Sequence, residues 1–225
     1  MSLDELAGIC DGVARGLPLF VIGGGPSVKG LDLSRISGFP RIAVNMSFVL
    51  GADVVLIGDS KVRRELIPSS PDLVGAWADF RGLKIMVRFE QEAVKPEDVP
   101  DMVLVPAVEK WTTSLRDGLI RSTNTGMAAI NLADVMRPWT IFLLGFDLVP
   151  VEPLTSNWHD FYKNFKKPDD YRSHAESVYQ NMMTDFLKRC SPRSPVVNCN
   201  RDSRLRMFPF STFDDAVLAA QGAMK

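Results

Sequence analysis

The residues able to do chemistry fall in short clusters that follow apolar runs. Leu19–Ile22 leads into Gly23-Gly24-Gly25-Pro26-Ser27. A strand entering consecutive glycines lets the backbone approach a ligand, and its exposed N–H groups can cradle a phosphate. A tight turn that needs positive φ is the plain alternative. No Gly-Lys-Ser/Thr follows, so the P-loop pattern is absent. The third residue after Gly25 is Val28, and Val44-Asn45 rather than an acid closes the next apolar run, which argues against a nicotinamide dehydrogenase. Asn45 has the donor and acceptor to meet a base or ribose, or it forms an Asx-turn. Asp59, in Gly58-Asp59-Ser60, suits a helix cap, a ribose hydroxyl or a cation. Ser122-Thr123-Asn124-Thr125-Gly126 opens an Ala-rich stretch. One of these residues serves as N-cap, and the others, at the positive end of a helix, make an anion site. Gly145-Phe146-Asp147 ends a further apolar run, where Asp147 suits either a ribose or base contact or a structural cap.

Only two histidines are present, His159 and His174. His174 precedes a helical pattern over Ala175–Lys188, which Ser173 and Glu176 open in capping-box spacing. The positive end of that helix lowers an imidazole pKa, and a neutral imidazole is what a general base must be at pH 7. A solvated or capping histidine is the alternative. His159 lies in Ser156-Asn157-Trp158-His159-Asp160-Phe161-Tyr162, where Trp158 and Tyr162 can stack on a base or sugar or form a small apolar cluster under a loop. Arg201, Arg204 and Arg206 alternate on what reads as an extended segment; they can reach a phosphate, and a solvated charged face is the favoured alternative.

The elements that must position these residues read as α/β. Leu19–Ile22, Arg41–Val44, Asp53–Ile57, Lys84–Phe89, Met102–Val105, Thr140–Leu144 and Pro195–Asn198 are mostly continuous apolar runs. Such runs suit a parallel sheet of six or seven strands covered on both faces. Helical patterns occupy Leu3–Arg15, Gly126–Met136, Ala175–Lys188 and Asp214–Ala223. Residues 150–171 are too long and too aromatic for a plain connector and read as a lid-like insertion. Polar residues just beyond strand C-termini are where open α/β sheets bind ligands.

Taken in order, Gly-x-Gly-Pro-Ser, an Asn after the second strand, Thr-Gly opening a helix and Gly-Phe-Asp resemble the bacterial sialyltransferases that use CMP-sialic acid. They also resemble the related group of archaeal 6-hydroxymethylpterin diphosphokinases, flagellin-glycosylation proteins and uncharacterised bacteriophage proteins. The resemblance runs from about Pro18 to Phe210. It implies that Gly24, Gly25, Pro26 and Ser27 hold the nucleotide phosphate and that Asn45 contacts the nucleotide. It also implies that Thr125 and Gly126 mark the nucleotide-binding helix and that Gly145 and Asp147 lie near ribose and base. His174 falls where the family has its general base, and Asn200 and Ser203 fall in the family's Pro-Asn-Ser segment. Two family tyrosines that hold the leaving phosphate are replaced by Val149 and Thr155. Tyr162, His159 and Lys163 are candidates to stand in for them. Asn157-Trp158-His159-Asp160 and the run from Asn198 to Leu205, followed by Phe208-Pro209-Phe210, are similar to the phage members.

Composition sets the outer limits. The 225 residues carry 26 Lys plus Arg against 27 Asp plus Glu, a formal net charge of −1, which argues against polybasic nucleic-acid binding by counterion release. No apolar run reaches the roughly 18 residues of a membrane helix, and Met1–Ala7 has no basic n-region of a signal peptide. Three widely spaced cysteines, Cys10, Cys190 and Cys199, argue for reduced thiols rather than disulfides. The expectation is one Rossmann-like three-layer α/β domain over residues 1–225, in the cytoplasm of a bacterium or a phage-infected cell. It would bind a small nucleotide or nucleotide sugar, CMP-type favoured, with no tightly bound cofactor and with homo-oligomerisation left open. Two rivals are a Mg-dependent pyrophosphokinase acting on a small alcohol and a phage accessory protein that kept the fold without catalysis.

Overall fold

A computed structural model describes residues 1–88, 94–148 and 180–223. The apolar runs form β1 (Pro18–Ile22), β2 (Arg41–Val44), β3 (Val54–Ile57), β4 (Leu83–Arg88), β5 (Val103–Val108), β6 (Leu119–Ile120), β7 (Thr140–Leu144) and β8 (Val196–Asn198). They pair as one eight-stranded sheet in the order β6-β5-β4-β3-β2-β1-β7-β8. Every pairing is parallel. The helices are α1 (Leu3–Cys10), α2 (Pro71–Asp79), α3 (Thr125–Val135), α4 (helical over 180–189) and α5 (Phe213–Gly222).

The continuous runs have the cause expected of them. All five residues of β1 and all five of β7 are buried. Alternate side chains serve opposite faces of the sheet. Leu19, Val21, Ile141 and Leu143 join the core beneath α1 and α3, whereas Phe20, Ile22, Phe142 and Leu144 join Phe213, Ala216 and Val217 of α5. A third cluster, around Phe48, Leu73 and Trp77, seats α2 against the far half of the sheet, with the Phe48 and Trp77 rings edge to face. This is a three-layer Rossmann-like α/β arrangement.

Chain direction across the sheet reverses once. From β1 the chain steps outward through β2 to β6, then returns to place β7 on the other side of β1. The crevice beyond the C-terminal ends of β1 and β7 is therefore the topological switch point where open α/β sheets bind ligands.

Three local readings need correction. The sheet has eight strands rather than six or seven, because β6 is only two residues long and offers no periodicity to read. The first helix stops at Cys10 rather than Arg15. Gly12 turns the chain at φ 77°, and the N–H groups of Gly12 and Ala14 then bond to the carbonyls of Val135 and Met136 at the C-terminal end of α3. Helix α2 had no sequence reading; Pro71 occupies its first turn and it buries only Leu73 and Trp77. The 150–171 insertion, with Trp158, His159 and Tyr162, and His174 with its capping pattern lie outside the described residues.

Helix α3 is enclosed all round, with Gly126 through Val135 buried. Two polar residues within it have their groups satisfied. Asn131 accepts from the Ile120 N–H and the Thr112 hydroxyl, each at 3.0 Å, and donates to the Thr112 carbonyl at 2.9 Å. This fastens the short β6 to the helix. Asp134 accepts from Trp111 Nε1 at 3.0 Å, from the N–H groups of Arg193 (3.0 Å) and Ser194 (2.9 Å), and from the Arg193 guanidinium. This fastens the approach to β8. Replacing Asn131 with Ala leaves buried donors and acceptors unpaired at about 1–3 kcal/mol each. The variant should therefore lose roughly 3 kcal/mol of stability, read as a lower urea midpoint at unchanged slope.

Candidate functional site at the β1–β7 switch point

The glycine run leaves β1 at the crevice and is drawn against the turn after β7. Gly23 N–H donates to the Leu144 carbonyl at 2.7 Å and Gly25 N–H to the Gly145 carbonyl at 2.9 Å. The closeness explains the residue types. A Cβ on Gly23 would stand 2.7 Å from the Gly145 oxygen, and one on Gly25 would stand 2.5 Å from Asp147 Oδ2. Gly145 itself needs φ 70° and packs on Val28, so positive φ belongs to the β7 turn. Pro26 begins a single 3-10 turn, Pro26–Val28, that brings Ser27 over Asp147.

Asp147 organises this corner. It is 2% exposed. Its carboxyl accepts from the Ser27 N–H at 2.8 Å, from the Ser27 hydroxyl and from Asn200 Nδ2 at 2.7 Å. Of the two roles the sequence left open, the structure displays the structural one. Ser203 is likewise turned inward: it is fully buried, donates to the Phe146 carbonyl at 2.6 Å and accepts from the Leu205 N–H at 2.9 Å. Its hydroxyl is enclosed by protein. Asn200 stays half-buried at the edge.

Asn45 closes β2 at φ 50°, a left-handed conformation that asparagine tolerates better than most residues. Its Oδ1 accepts from the Gly58 N–H at 3.2 Å and its Nδ2 reaches Thr125 Oγ1 at 3.5 Å. Asn45 therefore bridges the end of β3 to the first turn of α3. Gly58 is required there, since a Cβ would lie 2.7 Å from Thr125 Cγ2. Asn124 is the N-cap of α3, its Oδ1 accepting from Gly126 N–H at 2.6 Å. Thr123 is turned away to Asp185 of α4, which accepts from its N–H at 3.0 Å and its hydroxyl at 3.2 Å. Asp59 is exposed and accepts from Lys61 N–H at 2.9 Å. Among the described residues no group of three or more potential metal ligands converges. Asp59 is held by its own turn and Asp147 by Ser27 and Asn200.

Gly23–Ser27, Asn45, Thr125, Gly126, Gly145 and Asp147, which are far apart in sequence, thus meet around one crevice. Gly24, Ser27, Asn45 and Thr125 remain partly accessible there. No family model matches the chain, and no curated protein does. Solved structures do. The monofunctional alpha-2,3-sialyltransferase Cst-I of Campylobacter jejuni matches at 14% identity and TM-score 0.52, over 86% of this chain and 80% of that one. The sialyltransferase CstII of the same organism, solved with the substrate analogue CMP-3FNeuAc, matches at 14% identity and TM-score 0.51, over 86% and 85%. The chain has the sialyltransferase fold.

Within that fold, several further residues shape the crevice. Buried Ser47 donates to the Gly23 carbonyl at 2.8 Å, and buried Asn198 donates to the Phe146 carbonyl at 3.3 Å. Asp185 and Gly58 owe their roles to neighbours 62 and 67 residues away. Asn198, a polar residue ending an apolar run, and Gly58, in the Gly58-Asp59-Ser60 turn, were the accessible hints, whereas Ser47 and Asp185 carried none. The close approach at Gly25 is directly testable. Gly25→Ala must displace Asp147 or the Gly145 carbonyl and should cost about 1–3 kcal/mol by overpacking. Gly8→Ala, mid-helix in α1 with open space around its Cβ position, should gain about 1 kcal/mol. Paired urea titrations of the two variants check the contrast.

Proposed function

We propose that the chain is a nucleotide-binding, glycosyltransferase-like enzyme whose donor is a CMP-type nucleotide sugar. The observation that carries this reading is the meeting of the glycine run, Asn45 and the α3 N-terminus at the switch point of a fold shared with Cst-I and CstII. The near-neutral chain has no surplus of cations to draw an anion in. The N–H groups of Gly25 and Ser27 already bond to Gly145 and Asp147, so a nucleotide phosphate is received by the Gly24 N–H and by the positive end of α3. Asn45 and Thr125, joined to each other, flank the nucleoside.

Transfer proceeds by inverting displacement. His174 takes the proton of an acceptor hydroxyl, whose oxygen attacks the anomeric carbon. The bond from that carbon to the phosphate oxygen breaks, and its electron pair leaves with CMP. His159 is the rival base, and Trp158 and Tyr162 stack on the sugar or base. The role of Asp147 is to hold Ser27, and with it the glycine run, in place.

A thermal-shift panel of CMP, CDP, UDP and ATP, each with and without Mg²⁺, tests the reading. CMP at about 100 times its Kd should add about 2.7 kcal/mol, a rise of roughly 5–10 °C for a domain of this size. The shift should not need Mg²⁺. His174→Ala should bind CMP as the parent does and lose on the order of 100-fold or more in CMP-sugar turnover. A shift confined to ATP with Mg²⁺ would instead select pyrophosphoryl transfer, and no shift with any nucleotide would leave a fold without a nucleotide site.

A further inference from the structure

Helix α4 is fastened to the turn that leads into α3 through charge rather than apolar contact alone. Asp185 Oδ2 accepts from both the N–H and the hydroxyl of Thr123, while its Oδ1 accepts from Arg189 Nη1 at 3.2 Å, one helical turn on. Arg189 continues to Glu109, just beyond β5, donating to its carbonyl at 2.8 Å and its carboxyl at 3.2 Å. Arg121, just beyond β6, donates to the same carboxyl at 3.1 Å. Met182 adds a second tie, its sulfur accepting from Asn124 Nδ2 at 3.3 Å. The chain of contacts thus runs from α4 across the C-terminal ends of β5 and β6 to the two residues before Thr125. Asp185 has an 11% exposed side chain. Burial pushes its carboxyl up, but the Thr123 N–H and the Arg189 guanidinium outweigh burial and hold it below the ordinary carboxylate value.

We propose that Asp185 is a positioning residue that holds the Thr123–Gly126 turn in its anion-receiving shape, so that nucleotide affinity depends on the seating of α4. The inference rests on the nucleotide reading above. Physically, Thr123 and Asn124 lead into the helix start that faces the crevice, and Asn124 is its cap. A backbone N–H bonded to a paired, largely buried carboxyl is fixed more firmly than one bonded to water. Fixing it in advance removes an ordering cost from ligand binding.

The test is CMP titration calorimetry combined with amide hydrogen exchange on the full chain. Asp185→Ala should weaken CMP binding about tenfold, the loss of one charged hydrogen-bond pair, and should speed exchange at the Thr123 and Asn124 amides. Asp185→Asn keeps an acceptor oxygen for Thr123 and should recover most of the affinity. Should the Ala variant fail to fold, Arg189→Met leaves the Thr123 contact in place and should weaken CMP by a smaller factor, with exchange rising at the same amides. Unchanged CMP affinity with fast Thr123 exchange would overturn the coupling. So would tighter binding, which would mean that the carboxyl occupies the ligand's own place. If the parent chain binds no CMP, the nucleotide reading itself fails. Amide exchange then decides separately whether Asp185 holds the turn.

Discussion

The candidate site depends on one buried carboxyl. Asp147 sits just past the end of β7 and receives three donors, two from Ser27 beyond β1 and one from Asn200 beyond β8. Burying a carboxyl is costly unless its oxygens are satisfied. Here that requirement draws three chain segments onto one point. With Ser27 fixed, the glycine run has to lie against the β7 turn, and only residues without a Cβ fit at Gly23 and Gly25. The shape of the crevice floor is thus a consequence of satisfying Asp147.

A second constraint comes from α3. A helix buried on every side cannot be placed by an amphipathic face, because it has none. Its polar residues supply the orientation instead. Asn131 ties it to β6, Asp134 to the approach to β8, and Asn124 caps the end that faces the crevice. Asn45 and Gly58 then meet Thr125 from the ends of β2 and β3. The start of α3 is therefore held from the sheet side by Asn45, at Thr125, and from α4 by Asp185, at Thr123 just before it. These two contacts fix the helix end at which partial positive charge is concentrated.

The roles of individual residues divide along a physical line. Residues with accessible polar groups, such as Asn45, Thr125 and Ser27, remain able to meet a ligand. Asp147, named from its place after an apolar run, and Ser203, named from the family resemblance, are enclosed, and their polar atoms serve neighbouring backbone and side chains. Both kinds are short polar residues near the ends of apolar runs. Sequence alone could not separate them, because burial is a property of the packed neighbours.

What the sequence determined by itself was local and periodic. Continuous apolar runs at Leu19–Ile22, Arg41–Val44 and Thr140–Leu144 required strands buried on both faces, hence a parallel sheet. The glycine and polar residues after them marked the crevice edge. The cap before Gly126 and the position of α3 were also legible, since capping and helical burial act within a few residues. The tertiary structure decided the rest. Strand order, and with it the switch point between β1 and β7, depends on crossovers that no local pattern encodes. The two-residue β6 exists because Asn131, eleven residues on, satisfies its backbone. Asp147 met Ser27 across 120 residues and Asp185 met Thr123 across 62. Such contacts arise only when the sheet has brought distant segments together, because a hydrogen bond reaches about 3 Å and carries no trace along the chain.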